Sequence, residues 1–180
     1  MEPPTTSTTL ERKSGYYEID GVFYPSVTTI LGKVIAKPGL MNWYGKVGTE
    51  EANRIKQESG DIGSTLHKYL YNLLSGEPVV AEALEDPYKS WLQDFQTWVK
   101  LTQFRPAYLE HTVHSKAHGF AGTADVAGWI YGSIPILGDY KTSSGVYEEM
   151  TLQLVSYDRA YQEMGLFTSQ LQFIFLFDKK

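Results

Sequence analysis

Asp139 and Lys141 flank one residue in the tripeptide Asp139-Tyr140-Lys141, so on an extended strand an acid and a base point to the same side. The segment 107–141 reads as three strands separated by two turn-like stretches, Ser115-Lys116-Ala117-His118-Gly119 and Tyr131-Gly132-Ser133. A hairpin centred on Gly132 puts Asp125 opposite Asp139, and one centred near Ala117 and His118 puts Glu110 opposite Asp125. Three acids then line one face of a meander, with Lys141 beside them. Like charges directly opposite each other destabilise a sheet, and a bound divalent cation removes the conflict. Hard cations such as Mg²⁺ take oxygen ligands and keep several waters, so two or three carboxylates on a rigid sheet suit one. A solvated face or pairing with lysines accounts for the same acids. In a chain with 21% charged residues an Asp-x-Lys triplet also arises often by chance.

The elements that must hold these residues follow from periodicity and turn chemistry. Residues 1–14, rich in Pro, Thr and Ser, read as a flexible tail, and 15–180 as a single domain. An Asp20-Gly21 turn between apolar and aromatic residues predicts a short hairpin over 17–24. Ser26 caps a helix through Leu31. Helices are expected over 48–59 and 61–75, the second with the stripe Ile62, Leu66, Leu70 and Leu73, and a third over 86–101 carrying Trp91, Phe95 and Trp98. After the three strands come a helix over 147–164 and the apolar run 170–177, which predicts a central, buried strand. The order is helices, three strands, helix, strand (αβββαβ), an α/β fold with a central mixed sheet flanked by helices.

Composition narrows the field. Of the 180 residues, 42% are hydrophobic and 14% aromatic, as in folded domains. There are no cysteines, which excludes disulfides, thiolate zinc sites and cysteine-ligated iron–sulfur clusters and fits a reducing compartment. No run of 18 or more apolar residues predicts a membrane span, and the N-terminus has no secretion-signal pattern. A net charge of −5 speaks against bulk attraction of nucleic acid. Between residues 33 and 56, however, Lys33, Lys37, Lys46, Arg54 and Lys56 outnumber Glu50 and Glu51, with Trp43 and Tyr44 interleaved. That mixture can track a phosphate backbone and stack on bases, and it is equally the make-up of a solvated helical surface. His111, His114 and His118 invite a zinc reading, but on a strand the first two face opposite sides.

The order of short motifs is similar to that of the PD-(D/E)XK nuclease superfamily, in the branch that includes RecB-type nuclease domains, phage exonucleases and the mitochondrial genome maintenance exonuclease. Gly63-Ser64-Thr65-Leu66-His67 resembles the family's helix with its site histidine, and Glu110 the acid of the first core strand. Gly122-Thr123-Ala124-Asp125 and Asp139-Tyr140-Lys141-Thr142-Ser143 resemble the two central motifs. Gln153-Leu154-Val155-Ser156-Tyr157 resembles the Gln-x-x-x-Tyr motif of the RecB branch. Ala124 stands where the superfamily name has proline, a position that varies in this branch.

The resemblance implies a restriction-endonuclease-like core and a Mg²⁺- or Mn²⁺-dependent DNA exonuclease without an iron–sulfur cluster. It would act on single-stranded DNA or DNA ends, leave 5′-phosphates, and work in the cytoplasm of a bacterial or phage-infected cell in recombination, repair or replication. It assigns His67, Asp125, Asp139 and the Tyr140 backbone carbonyl to the metal. Lys141 would orient water and stabilise charge, Glu110 would contact a second metal or a metal-bound water, and Gln153 and Tyr157 would position the lysine or the DNA strand. Lys33, Lys37, Trp43, Tyr44, Lys46, Arg54 and Ser143 would contact DNA. The alternative is a non-catalytic DNA-binding or assembly subunit that keeps the fold.

Overall fold

Asp20 and Gly21 both have positive φ, 51° and 74°, as a two-residue hairpin turn requires, and they join two strands of a small sheet. The structure, a computed structural model, describes residues 10–79 and 84–178. The small sheet is the antiparallel meander Arg12–Lys13 (β1), Tyr16–Ile19 (β2) and Val22–Pro25 (β3). Ordered structure therefore begins before residue 15, while residues 1–9 lie outside the described residues. Leu10 donates its N–H to Thr112 Oγ1 at 3.0 Å and packs beside Tyr17, Tyr24 and Ala121. An apolar side chain with a core to enter overrides the tail-like composition around it.

Ser26 accepts the Thr29 N–H at 3.1 Å and so caps helix Val27–Val34 (α1). Helix Pro38–Val47 (α2), which periodicity had not marked, starts with proline at a first-turn position. Thr49–Ser75 (α3) is one helix of 27 residues, where two were expected to meet near Gly60. A glycine inside a helix costs only ~1 kcal/mol, and the buried anchors Ala52, Leu66 and Leu70 on either side of it outweigh that. Gly76, in the left-handed conformation at φ 82°, ends the helix.

Tyr88–Thr102 (α4) lays Trp91, Phe95 and Trp98 on the main sheet. That sheet contains Arg105–Ser115 (β4), Phe120–Ile130 (β5), Ile134–Lys141 (β6) and Leu171–Leu176 (β7), in that spatial order. The first three are an antiparallel meander, and Glu148–Glu163 (α5) crosses over so that β7 runs parallel to β6. Residues from α3 and α4 pack with one face of the sheet and residues from α1 and α5 with the other, a mixed α/β fold. The small sheet docks on β5, where the Tyr17 and Thr123 hydroxyls lie 3.0 Å apart.

The apolar run 170–177 forms an edge strand, not a central one, with Leu171 43% and Leu176 38% exposed. Phe173 and Phe175 pack toward α4 and Ile174 toward α5. Two covered faces are enough to demand a continuous apolar run, whether or not another strand lies beyond.

Candidate active site

Besides a bulge between Pro106 and Tyr108, alternation along β4 and β5 breaks near their middle. Leu109 packs in the cluster shared with α3 and α4, whereas Val113, which strict alternation would put with it, packs in the cluster shared with α5. On β5, Val126 and Ala124 are divided between the two faces in the same way. The ladder pairs Leu109 with Val126 and His111 with Ala124, so both strands slip phase at the facing residues Glu110 and Asp125. Glu110 has φ 44°, a left-handed conformation that costs a non-glycine residue ~1–3 kcal/mol and tends to be kept at functional sites.

Glu110 and Asp125 meet His67, which α3 brings over the sheet. His67 Nδ1 lies 3.2 Å from Glu110 Oε1 and 3.8 Å from Asp125 Oδ1, and Nε2 lies 3.3 Å from the Tyr140 carbonyl oxygen. Both ring nitrogens face acceptors, which only the imidazolium form satisfies at once. Burial disfavours that charge, but Asp125, Glu110 and the Tyr140 carbonyl outweigh it and raise the pKa to about 9.

The antiparallel ladder between β5 and β6 ends at Val126 and Gly138. One step further would align Asp125 with Asp139. Instead, the Tyr140 N–H donates to Asp125 Oδ2 at 2.7 Å. Asp139 is fully buried, with the Lys141 ammonium against Oδ2 as an ion pair and no hydrogen-bond partner for Oδ1 among the described residues. Burial pushes the Asp139 carboxyl above the usual range and the Asp125 charge adds to this, against the pull of Lys141 and His67. Asp125 is likewise pushed up by burial and by Glu110, against His67, Lys141 and the Tyr140 N–H. Tyr140 thus serves the site with its backbone while its ring packs against Phe95 and Phe177.

One nitrogen and two carboxylate oxygens, from His67, Glu110 and Asp125, all lie within 4.8 Å of one another. Two buried acids held above their usual pKa, and an unbonded Asp139 oxygen, are what a hard divalent cation would relieve. The donor set fits Mg²⁺ or Mn²⁺, with the imidazole better suited to Mn²⁺. Asp139 stands outside the three-residue group, paired with Lys141, and Glu110 stands inside it.

A cleft of about 610 Å³ opens over these groups, lined by His67, Glu110, Tyr140 and Lys141 from the expected set. Gly63, Ser64 and Thr142, from the motif segments, line it too, as do Gly60, Lys68 and Tyr71, which no motif covers. Their signal was present, since 60, 63, 64, 67, 68 and 71 follow the helical i, i+3, i+4 repeat and so share a face. A side chain at Gly63 would come within 3.4 Å of Thr142 Oγ1, so α3 and the loop after β6 lie close together here.

Gln153 and Tyr157 are bonded to each other, Nε2 donating to the phenol oxygen at 2.9 Å. The Tyr157 ring lies on Gly122, where an added Cβ would come within 2.3 Å of Cε1. Burial and then the charge of Asp125 raise the Tyr157 pKa, with Asp139 adding to it, so the pair sits close behind the acids.

The expected DNA contacts divide. Lys37 is paired with Glu149 at 2.6 Å, and Arg54 is held by Glu51 and Glu58 at 2.6 and 2.5 Å. Lys33 and Lys46 are exposed near the ends of α1 and α2. Tyr44 donates to Asn53 Oδ1, Ser143 donates to the Gly145 carbonyl, and Trp43 lines a groove beside the cleft. The three histidines of the zinc reading part company: His111 stacks on Tyr161, His114 lies against Tyr24, and His118 bonds Glu163. Among the described residues no helix is long and apolar enough to cross a membrane. No protein-family model matches the chain, and no curated protein matches it.

Proposed function

We infer that the chain is a metal-dependent deoxyribonuclease with a PD-(D/E)XK-type, restriction-endonuclease-like core, acting as an exonuclease on single strands or ends. The observation that carries this reading is the convergence of His67, Glu110 and Asp125 within 4.8 Å, beside the Asp139–Lys141 ion pair on the neighbouring strand. Acids crowded into a buried corner, with a lysine at the cleft mouth, suit chemistry on a phosphodiester better than they suit stability.

When bound by His67, Glu110, Asp125 and the Tyr140 carbonyl, Mg²⁺ or Mn²⁺ supplies Lewis acidity toward a phosphoryl oxygen and a lowered water pKa. Lys141 lines the cleft and, held by Asp139, presents positive charge to the oxygens of a phosphate undergoing attack. Its role is to orient and to stabilise charge, because its ammonium lines the cleft while ion-paired to Asp139. Gln153 and Tyr157 support Asp125 and Asp139 from behind, a positioning role.

The deciding experiment digests 5′- and 3′-labelled DNA, single- and double-stranded, linear and circular, with Mg²⁺, Mn²⁺ or EDTA. Cation-dependent loss of linear substrate, with circles spared, is the expected result. No cleavage under any condition would leave a DNA-binding or assembly subunit as the better account.

A further inference from the structure

The groove beside the cleft uses residues that the metal group does not. Ala36, Leu40 and Trp43, from α2 and the turn before it, line it together with Ser144 and Tyr147, from the loop between β6 and α5. It encloses about 630 Å³ and its apolar lining is accessible, with Tyr147 47% and Leu40 44% exposed. Its one cation and one anion cancel, because Lys37 Nζ is bonded to Glu149 Oε1 at 2.6 Å. The described residues lining the groove therefore favour an uncharged group over a phosphate, and Trp43 and Tyr147 among them offer aromatic surface to a planar one. Thr142 lines the cleft and Ser144 the groove. Two residues of extended chain span at most ~7 Å, about two nucleotides at the ~3.4 Å rise of a stacked strand.

We propose that this groove holds one base of single-stranded DNA, stacked on Trp43 and Tyr147, about two nucleotides from the phosphate placed at His67, Glu110 and Lys141. It rests on the nuclease reading above and names the substrate class of that site. A duplex must first unstack and unpair a base to offer one, so the groove selects single strands.

The test is fluorescence anisotropy with a labelled oligothymidylate and an abasic oligomer of equal phosphate count, in EDTA so that nothing is cut. The wild type is expected to bind the oligothymidylate about tenfold more tightly, or ~1.4 kcal/mol. Trp43→Ala and Tyr147→Ala should bind the two oligomers alike, at the wild-type affinity for the abasic one, which also reports an intact fold. Trp43→Phe keeps a ring and should keep most of the preference. Preference preserved in both alanine variants overturns the groove, as does equal binding of the two oligomers by the wild type or tighter binding of blunt duplex. Cleavage with Mg²⁺, compared between wild type and Lys141→Ala, decides the nuclease reading separately. Lost preference in the groove variants with no cleavage by the wild type keeps the groove and discards the nuclease.

Discussion

Glu110 faces Asp125 across β4 and β5 at the point where both strands slip out of alternation. A regular ladder would keep the two acids on one face, but on the face opposite Leu109 and Val126 and so away from α3. The slip lets both carboxylates reach His67, within 3.2 and 3.8 Å. Without a cation the arrangement holds like charges together in a partly buried corner, and the imidazolium of His67 is their counter-ion.

Asp125→Asn should separate the metal's contribution from the fold's. The amide oxygen can still accept the Tyr140 N–H, so calorimetric Mn²⁺ affinity should fall at least about tenfold while the structure persists. Melting in EDTA at pH 8 should be unchanged or higher, because a buried charge has been removed. Wild-type Mn²⁺ affinity in the variant would remove Asp125 from the ligand set.

The metal-free protein should lose stability as pH rises. Asp125 and Asp139 have raised folded pKa values, so their stabilising protonation is complete below the unfolded value of 3.8 and is lost as pH climbs through the folded values. For His67 the ordinary value is 6.5 and the folded value about 9, so its contribution is complete below 6.5 and fades toward and through 9. All three have the same sign. A cation competes with these protons, so the thermal shift on adding Mn²⁺ should grow between pH 5 and pH 9. A shift independent of pH would contradict the assignment.

Lys141→Ala should abolish cleavage of labelled single-stranded DNA by at least about 100-fold, as loss of a charge-stabilising donor does elsewhere. Circular dichroism should show the fold intact, although Asp139 loses its ion-pair partner and some stability with it. Undiminished cleavage would sink the proposed role of the lysine.

Gly122→Ala should destabilise by about 1–3 kcal/mol in urea unfolding, since the new methyl would meet the Tyr157 ring and overpack the core. If the ring is displaced, the Gln153 bond breaks with it, and activity should fall more than stability alone explains. Unchanged stability would mean the ring has room that the geometry denies it.

Much of this was readable from the chain. Turn residues fixed the hairpin registers closely enough to place Glu110 opposite Asp125, because Gly119 and Gly132 mark positive φ where a side chain would be strained. The expected break between 59 and 61 misled because it set Gly60 between two helices, while the packing of Leu66 and Leu70 that overrides it is a tertiary effect. The phase slip left no trace in residue types, since a left-handed glutamate looks like any other. Nor does charge type alone disclose pairing: Lys37 reads as an open cation until the fold supplies Glu149, whereas the Arg54 pairs lie at i,i+3 and i,i+4 within the expected helix 48–59 and were legible from spacing.

Tyr140 belongs to the interior and to the cleft at once. Its ring sits among Phe95, Phe175 and Phe177, its N–H is spent on Asp125, and its carbonyl faces His67. Under the proposed metal reading, cation affinity becomes an instrument for reading the quality of the aromatic packing. A substitution as remote as Phe177→Leu, which touches no proposed ligand side chain, would then register as a weaker grip on the ion through Tyr140, which is anchored in both places.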